Sequence, residues 1–318
     1  MKKLNIYFLA LFAVLFTFSA CGEDSPENTS TDDGYGYDFT EVLKVYTDEV
    51  IVPTYSNLKD KAWALHNAVQ AFKNDPISQP KLDAVCDAWR AARIPWEQSE
   101  SCLYGPAETL NLDPSLDSWP LDKGSIDNIL ASGSITASKI MDPGVHGFHT
   151  IEYLIFIGGK NKNLEDESSL YYKPLSANEV EYLSVATEYL RDDCIKLWAA
   201  WNGPNNINLT DQAVIDLFDE DPSSHNFAYN FKNAISSSSV TLTSMDDAID
   251  NIVEGCAGIA DEVGAQKIGA PRDLAIAANG NLEKLDQARL EVESWYSWNS
   301  IDDYANNIVS IRNSYFGG

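Results

Sequence analysis

The chain has 318 residues, enough for one large domain or two moderate ones, and its composition is globular, with 44% hydrophobic and 22% charged residues. A formal net charge of -26 excludes nucleic acid, whose phosphates demand clustered Lys and Arg, and excludes electrostatic docking onto anionic lipid. Cationic ligands and metal ions are the partners such a charge favours.

At the N-terminus, Lys2 and Lys3 precede an apolar run from Leu4 to Phe18 broken only by Asn5 and Thr17. The run is too short to span a bilayer comfortably and ends in Ser19-Ala20 before Cys21, so residues 1–20 read as a secretory signal peptide. The junction resembles a bacterial lipobox, with Phe18 where Leu is usual. Cleavage there is expected to leave Cys21 lipidated, anchoring the protein in the cell envelope at the outer membrane. Residues 21–37 are mostly Gly, Asp, Glu, Ser, Asn and Thr, which bury too little apolar surface to fold and read as a tether.

Helical periodicity dominates from Phe39 onward. An apolar stripe runs from Phe39 to Phe72, with Pro53 breaking or kinking it. A second runs through Leu82, Val85, Cys86, Trp89, Ala92, Trp96 and Leu103. Pro95 either kinks that helix or opens a new one. Between Tyr104 and Ile140 the pattern gives way to Pro, Asp, Ser and Gly, an excursion expected to wrap the helices or line a cleft. The apolar run Ile151–Ile157 is read as helix, since no partner strand is evident. A third stripe spans Asn178–Trp201, and helical patterns resume over 211–218, 227–236, 245–263 and 282–315. The class is therefore all-α, with a bundle over 38–205 and a second over 206–318, divided at the Asn-Gly-Pro-Asn-Asn break of residues 202–206. Cys86, Cys102, Cys194 and Cys256 match no zinc or haem spacing and are expected to be mostly buried free thiols.

Two constellations carry chemistry. Gly147-Phe148-His149-Thr150-Ile151-Glu152 sets an imidazole and a carboxylate on one helical face about 5–6 Å apart at Cβ. A core histidine satisfied by a neighbouring carboxylate has the same spacing. His146 adds a polar group at the same three-residue step. The second constellation, Arg93 to Glu100, places Arg93 and Glu100 on the stripe that should be buried, although a solvated Arg93–Glu97 pair is the commoner use of that spacing. A site built from His149, Glu152 and Glu97 or Glu100 has mixed nitrogen and oxygen donors, suited to iron, zinc or copper more than to calcium. No His-Glu-x-x-His and no repeated Glu-x-x-His occurs, so zincin and di-iron oxidase chemistry have no motif here.

These residues resemble the imelysin family of insulin-cleaving membrane protease-like proteins. Three blocks carry the likeness: Ala92-Arg93 through Trp96-Glu97-x-Ser99-Glu100 to Gly105-Pro106, then Gly147-x-His149-x-x-Glu152-Tyr153-Leu154, and lastly Glu293-Ser294-Trp295-Tyr296-Ser297-x-Asn299-Ser300 through Asp303 to Tyr315. The resemblance implies two helical bundles with a site in the cleft between them. It also implies an envelope protein tied to iron supply, binding iron, another divalent transition metal or an iron-containing ligand, with partner proteins of an uptake system. His149, Glu152, Glu97 and Glu100 are the expected metal residues, and Arg93, Trp96, Ser297, Ser300 and Asp303 the expected ligand contacts. The alternative reading is a metallopeptidase with Glu152 as general base. Lys267 and Arg272 offer positive charge for an anionic ligand, or belong to an ordinary surface loop. Most members continue beyond the point matching Gly318, so the second bundle is expected to be incomplete in this chain.

Overall fold

A computed structural model describes residues 36–236 and 242–317 of the chain. The expected signal peptide, lipidated Cys21 and all but the end of the tether lie outside the described residues. The architecture is all-α, as the periodicity predicts. Helix α1 (Val52–Lys73) continues without interruption from a π-helical stretch, Tyr46–Ile51, so that Pro53 lies inside a continuous helical run, directly after its widened turn. Helix α2 (Gln79–Glu97) keeps Pro95 inside its last turn and ends two residues later. Helix α3 (Phe148–Ile155) is short, and α4 (Ala177–Asn202) is the longest among the described residues. A capping box at Ser176 and Glu179 fixes the start of α4, worth about 1 kcal/mol.

Helix α1 packs along both α2 and α4. Their facing stripes bury Leu58, Leu65, Phe72, Val85, Trp89, Leu183, Leu190 and Trp201 completely or nearly so. The Trp89 indole donates to the Phe148 carbonyl at 2.9 Å, tying α2 to the start of α3. Beyond residue 205, α5 (Met245–Asp261) opens on a second capping box, Ser244 with Asp247, and runs into another π-helical stretch, Glu262–Gly269. Helices α6 (Ala270–Ala278), α7 (Leu282–Leu290) and α8 (Ser300–Phe316) complete the chain. Helix α5 packs on the turn Glu100–Cys102, and α8 packs on α2. Contacts over residues 37–318 gather into one unit.

Two expectations change. Residues 151–157 are not helical throughout: β1 (Phe156–Ile157) pairs antiparallel with β2 (Lys160–Asn161) across Gly158-Gly159. Residues 282–315 are not one helix, because the chain leaves α7 at Glu291 and re-enters helix at Ser300, with Ser294 and Trp298 at positive φ. The hairpin and this break support each other. Gly159 N–H donates to the Tyr296 carbonyl at 3.0 Å, and a Cβ on Gly159 would stand 2.3 Å from the Trp298 ring. Cys86, Cys102 and Cys194 are buried free thiols and Cys256 a half-buried one, as expected.

Candidate metal centre

Gly147 sets the position of the first donor. Its φ of 83° favours glycine, and a Cβ there would lie 2.5 Å from the Leu116 carbonyl oxygen. The 115–117 backbone can therefore pass directly over the start of α3, bringing Asp117 to His149. One turn of helix then puts His149 Nδ1 2.9 Å from Glu152 Oε2. The other oxygen of Glu152 accepts from both the N–H and the hydroxyl of Ser297, each at 2.8 Å. On the opposite edge of the ring, His149 Nε2 lies 2.9 Å from Asp117 Oδ1.

Arg93 organises the carboxylates from below. Its guanidinium is fully buried and meets Asp117 at 2.7 Å, Glu293 at 3.0 Å and Asp303 at 3.3 Å, besides a close pair with Glu97 one turn along α2. Trp96 donates to the second Asp117 oxygen at 2.5 Å. The break between α7 and α8 supplies Glu293, whose backbone carbonyl is held by the Ser300 hydroxyl. Asp303, on α8, accepts from Ser294 and Asn299, and Asn307 donates to Glu97.

Above this network lies a cavity of about 340 Å³, its wall including Glu100, Asp113, Asp117, Trp119, Glu262, Lys267, Glu291 and Glu293. His149 is just behind the wall, with its ring 4.5 Å from that of Trp119. Lys267 Nζ reaches into the acidic group, 3.2 Å from Glu293 and 3.8–3.9 Å from Glu97, Glu100 and Glu262.

Five buried carboxylates, Glu97, Glu100, Glu152, Glu293 and Asp303, together with the half-buried Asp117, whose side chain is itself nearly covered, thus share three cationic side chains, Arg93, His149 and Lys267. Burial penalises charge, and the imbalance decides who keeps a proton. Burial alone would push the His149 imidazole down, but Asp117 and Glu152 outweigh it and raise it to about 9. Burial would push Asp117 up, yet Arg93 and His149 hold it well below the usual carboxylate range. For Glu97, Glu100 and Glu293 burial wins over Arg93 and Lys267, and all three titrate above the ordinary range. Asp113, at the mouth, is pushed up to about 6 by burial and by Asp117 and Glu262.

Donor atoms of Asp117, His149 and Glu293 lie within 4.8 Å of one another, and so do those of Glu97, Glu100 and Asp117. Metal bonds of about 2.0–2.2 Å put tetrahedral donors about 3.3–3.6 Å apart, so the side chains would draw together by up to about 1 Å around an ion. His149 Nε2 is paired with Asp117, whereas Glu97 Oε1 and Glu293 Oε2 are buried without a hydrogen bond and are held by their ion pairs with Arg93 and Lys267. Buried polar atoms in that condition are the kind a bound cation satisfies.

All nine residues singled out for metal or ligand contact are buried in this one region: Arg93, Trp96, Glu97, Glu100, His149, Glu152, Ser297, Ser300 and Asp303. The Arg93–Glu97 pair is sealed, not solvated. His146 is elsewhere: it precedes α3, so helical spacing does not apply, and its ring pairs with the Ser115 hydroxyl at 2.8 Å and stacks on Tyr189. Lys267 faces carboxylates and so offers no anion site, while Arg272 lies exposed and pairs with Asp273. Asp117 and Glu293 were not among the expected site residues. Glu293 opens the third sequence block; Asp117, in the irregular excursion, carries no comparable signal.

The family model for Imelysin matches residues 51–318. Iron-regulated protein A of Synechococcus elongatus is 26% identical over 309 residues, covering 97% of this chain and 70% of that protein. A crystal structure assigned as an iron-regulated protein A precursor from Parabacteroides distasonis is 37% identical, with a TM-score of 0.76 over 90% of this chain and 76% of that one.

Proposed function

The chain belongs to the imelysin family, and from that premise we propose that it holds iron or another divalent transition metal ion, free or within an iron-containing ligand, in the Asp117–His149–Glu293 pocket. The single observation carrying this reading is the surplus of buried carboxylates over buried cations around one imidazole. Fixed acid in a low-dielectric setting is costly unless a cation arrives. One nitrogen and several carboxylate oxygens form a donor set suited to iron, manganese or zinc. Asp117, His149 and Glu293 would hold the ion, with Glu97 and Glu100 next to it. Glu152 backs His149 instead of binding the ion, since one oxygen meets the imidazole and the other meets Ser297. A carboxylate behind a metal-binding histidine fixes its orientation and raises its basicity. Arg93 and Trp96 hold Asp117 in place, and Ser297, Ser300 and Asp303 shape the far wall.

Kinship with a protein called iron-regulated protein A supports a role in iron supply. A lipid anchor on Cys21 would place the pocket at the outer membrane, within reach of partner proteins of an uptake system. The peptidase reading draws no support from Glu152, which is fully buried and absent from the cavity wall. The test is anomalous scattering at the iron, manganese and zinc edges on crystals of protein purified without chelator. A peak between Asp117, His149 and Glu293 is expected. No peak there after soaking in each metal would defeat the proposal.

A further inference from the structure

We infer that Lys267 is a built-in counter-cation that fills a second cation position in the pocket, so that the pocket takes one metal ion and not two; the inference rests on the metal-binding reading above. Of the three donor sets among the described residues, Glu97–Glu293–Asp303 lies around Arg93, and the other two, Asp117–His149–Glu293 and Glu97–Glu100–Asp117, share Asp117. Such an arrangement is what a bridged pair of divalent ions about 3.5–4 Å apart requires. In this chain an ammonium already stands beside the second set. Lys267 Nζ lies 3.8 Å from Glu97 and 3.9 Å from Glu100, beyond hydrogen-bonding range of either, and 3.2 Å from Glu293. It donates to Glu293 Oε1 at 3.3 Å and faces Glu97 and Glu100 as a charge, without a hydrogen bond to either. A compact ammonium on a flexible stem suits that part, where a planar guanidinium would demand paired acceptors.

The backbone fixes the lysine where it is needed. Lys267 sits on the π-helical stretch between α5 and α6, a local widening that often accompanies functional sites. Its carbonyl accepts from the Tyr304 hydroxyl at 3.0 Å, anchoring the stretch to α8. Its stem borders an apolar groove shared with Ala288 and Tyr304, so the methylenes pack on one side while the ammonium faces the acids on the other.

Equilibrium dialysis of the full chain against Mn²⁺, with metal counted by mass spectrometry and the bound ion observed by electron paramagnetic resonance, tests this. Wild type is expected to bind one Mn²⁺ with an isolated-ion spectrum. Lys267→Met keeps the stem and removes the charge; it is expected to bind two, with an exchange-coupled spectrum and at least tenfold tighter binding of the first. Adding Glu100→Gln to Lys267→Met should return the count to one. Lys267→Gln serves as the second neutral variant, and Lys267→Arg should stay at one. Two Mn²⁺ on wild type, or one on both neutral variants at unchanged affinity, would overturn the inference while leaving the metal reading intact. Absence of binding to wild type and both neutral variants would defeat the metal reading and this inference with it.

Discussion

The Leu116 carbonyl oxygen occupies the space that a side chain on residue 147 would need: a Cβ on Gly147 would stand 2.5 Å from it. The glycine of the Gly-x-His-x-x-Glu block therefore acts on Asp117 as well as on the helix it opens. Gly147→Ala should force the 115–117 backbone away and pay for positive φ. Together these cost about 2–5 kcal/mol, read as a lowered denaturation midpoint. Metal affinity should fall as well. A variant as stable as wild type would show that the close approach is dispensable.

Without metal, stability should decline as pH rises from about 6.5 to 9. His149 has its folded value raised from 6.5 to about 9, so its contribution is fully present below 6.5 and lost as pH passes through 9. By linkage that contribution is on the order of 3 kcal/mol. Glu97, Glu100 and Glu293 are shifted upward too, so the folded state also holds their protons more tightly and loses stability in the same direction as pH rises from the ordinary carboxylate range. Asp117, shifted down, works oppositely and only in strong acid. Thermal melts from pH 5 to 9 check this. His149→Gln should flatten the decline, and a wild-type midpoint that climbs between pH 6.5 and 9 would contradict it.

Added metal should reverse the trend, because the ion takes the place of protons on His149 and the glutamates. The stabilisation given by a fixed excess of Mn²⁺ should grow from pH 6 to 8.5. Calorimetry in buffers of different ionisation enthalpy should register proton release on binding. An increment independent of pH would mean the ion binds away from these groups.

Ser297→Ala removes one of two donors to Glu152 Oε1. Bonds to charged acceptors contribute about 1.5–3 kcal/mol, so a loss of roughly that size is expected in chemical denaturation. Loosening the carboxylate behind His149 should also weaken metal binding about 10–100-fold. Unchanged affinity would show that Glu152 does not orient the imidazole.

Arg93→Lys should behave as a severe change. The guanidinium spans Asp117, Glu97, Glu293 and Asp303, which one ammonium cannot do. Breaking a buried ion network costs about 3–5 kcal/mol. Urea denaturation showing less than about 1 kcal/mol of loss, the range of exposed pairs, would contradict the buried-hub assignment.

Helical content was legible because the apolar spacing of α1, α2 and α4 is regular, and the three-residue step from His149 to Glu152 needs only helical geometry. Burial of Arg93 followed from its place on the Trp89–Trp96 stripe. Asp117 was not legible, since no period constrains the excursion it sits in and only tertiary contacts, the Gly147 approach and the bonds to Arg93 and Trp96, place it. Glu293 was hidden by a helical pattern that continues through a break which the tertiary structure makes. Lys267 read as a loop residue because π-helical register follows neither helical nor strand spacing. The Phe156–Asn161 hairpin escaped notice because its second strand is two polar residues long, although Gly158-Gly159 is a turn signal.

Isothermal titration of Fe²⁺, under anaerobic conditions, into wild type and His149→Ala is the most direct test of the metal pocket. One ion per wild-type chain is expected, with affinity lowered about 100-fold or more in the variant, since losing a ligand exceeds losing its support. Equal binding by the two proteins would contradict the assignment of His149 as a metal donor and, with it, the pocket.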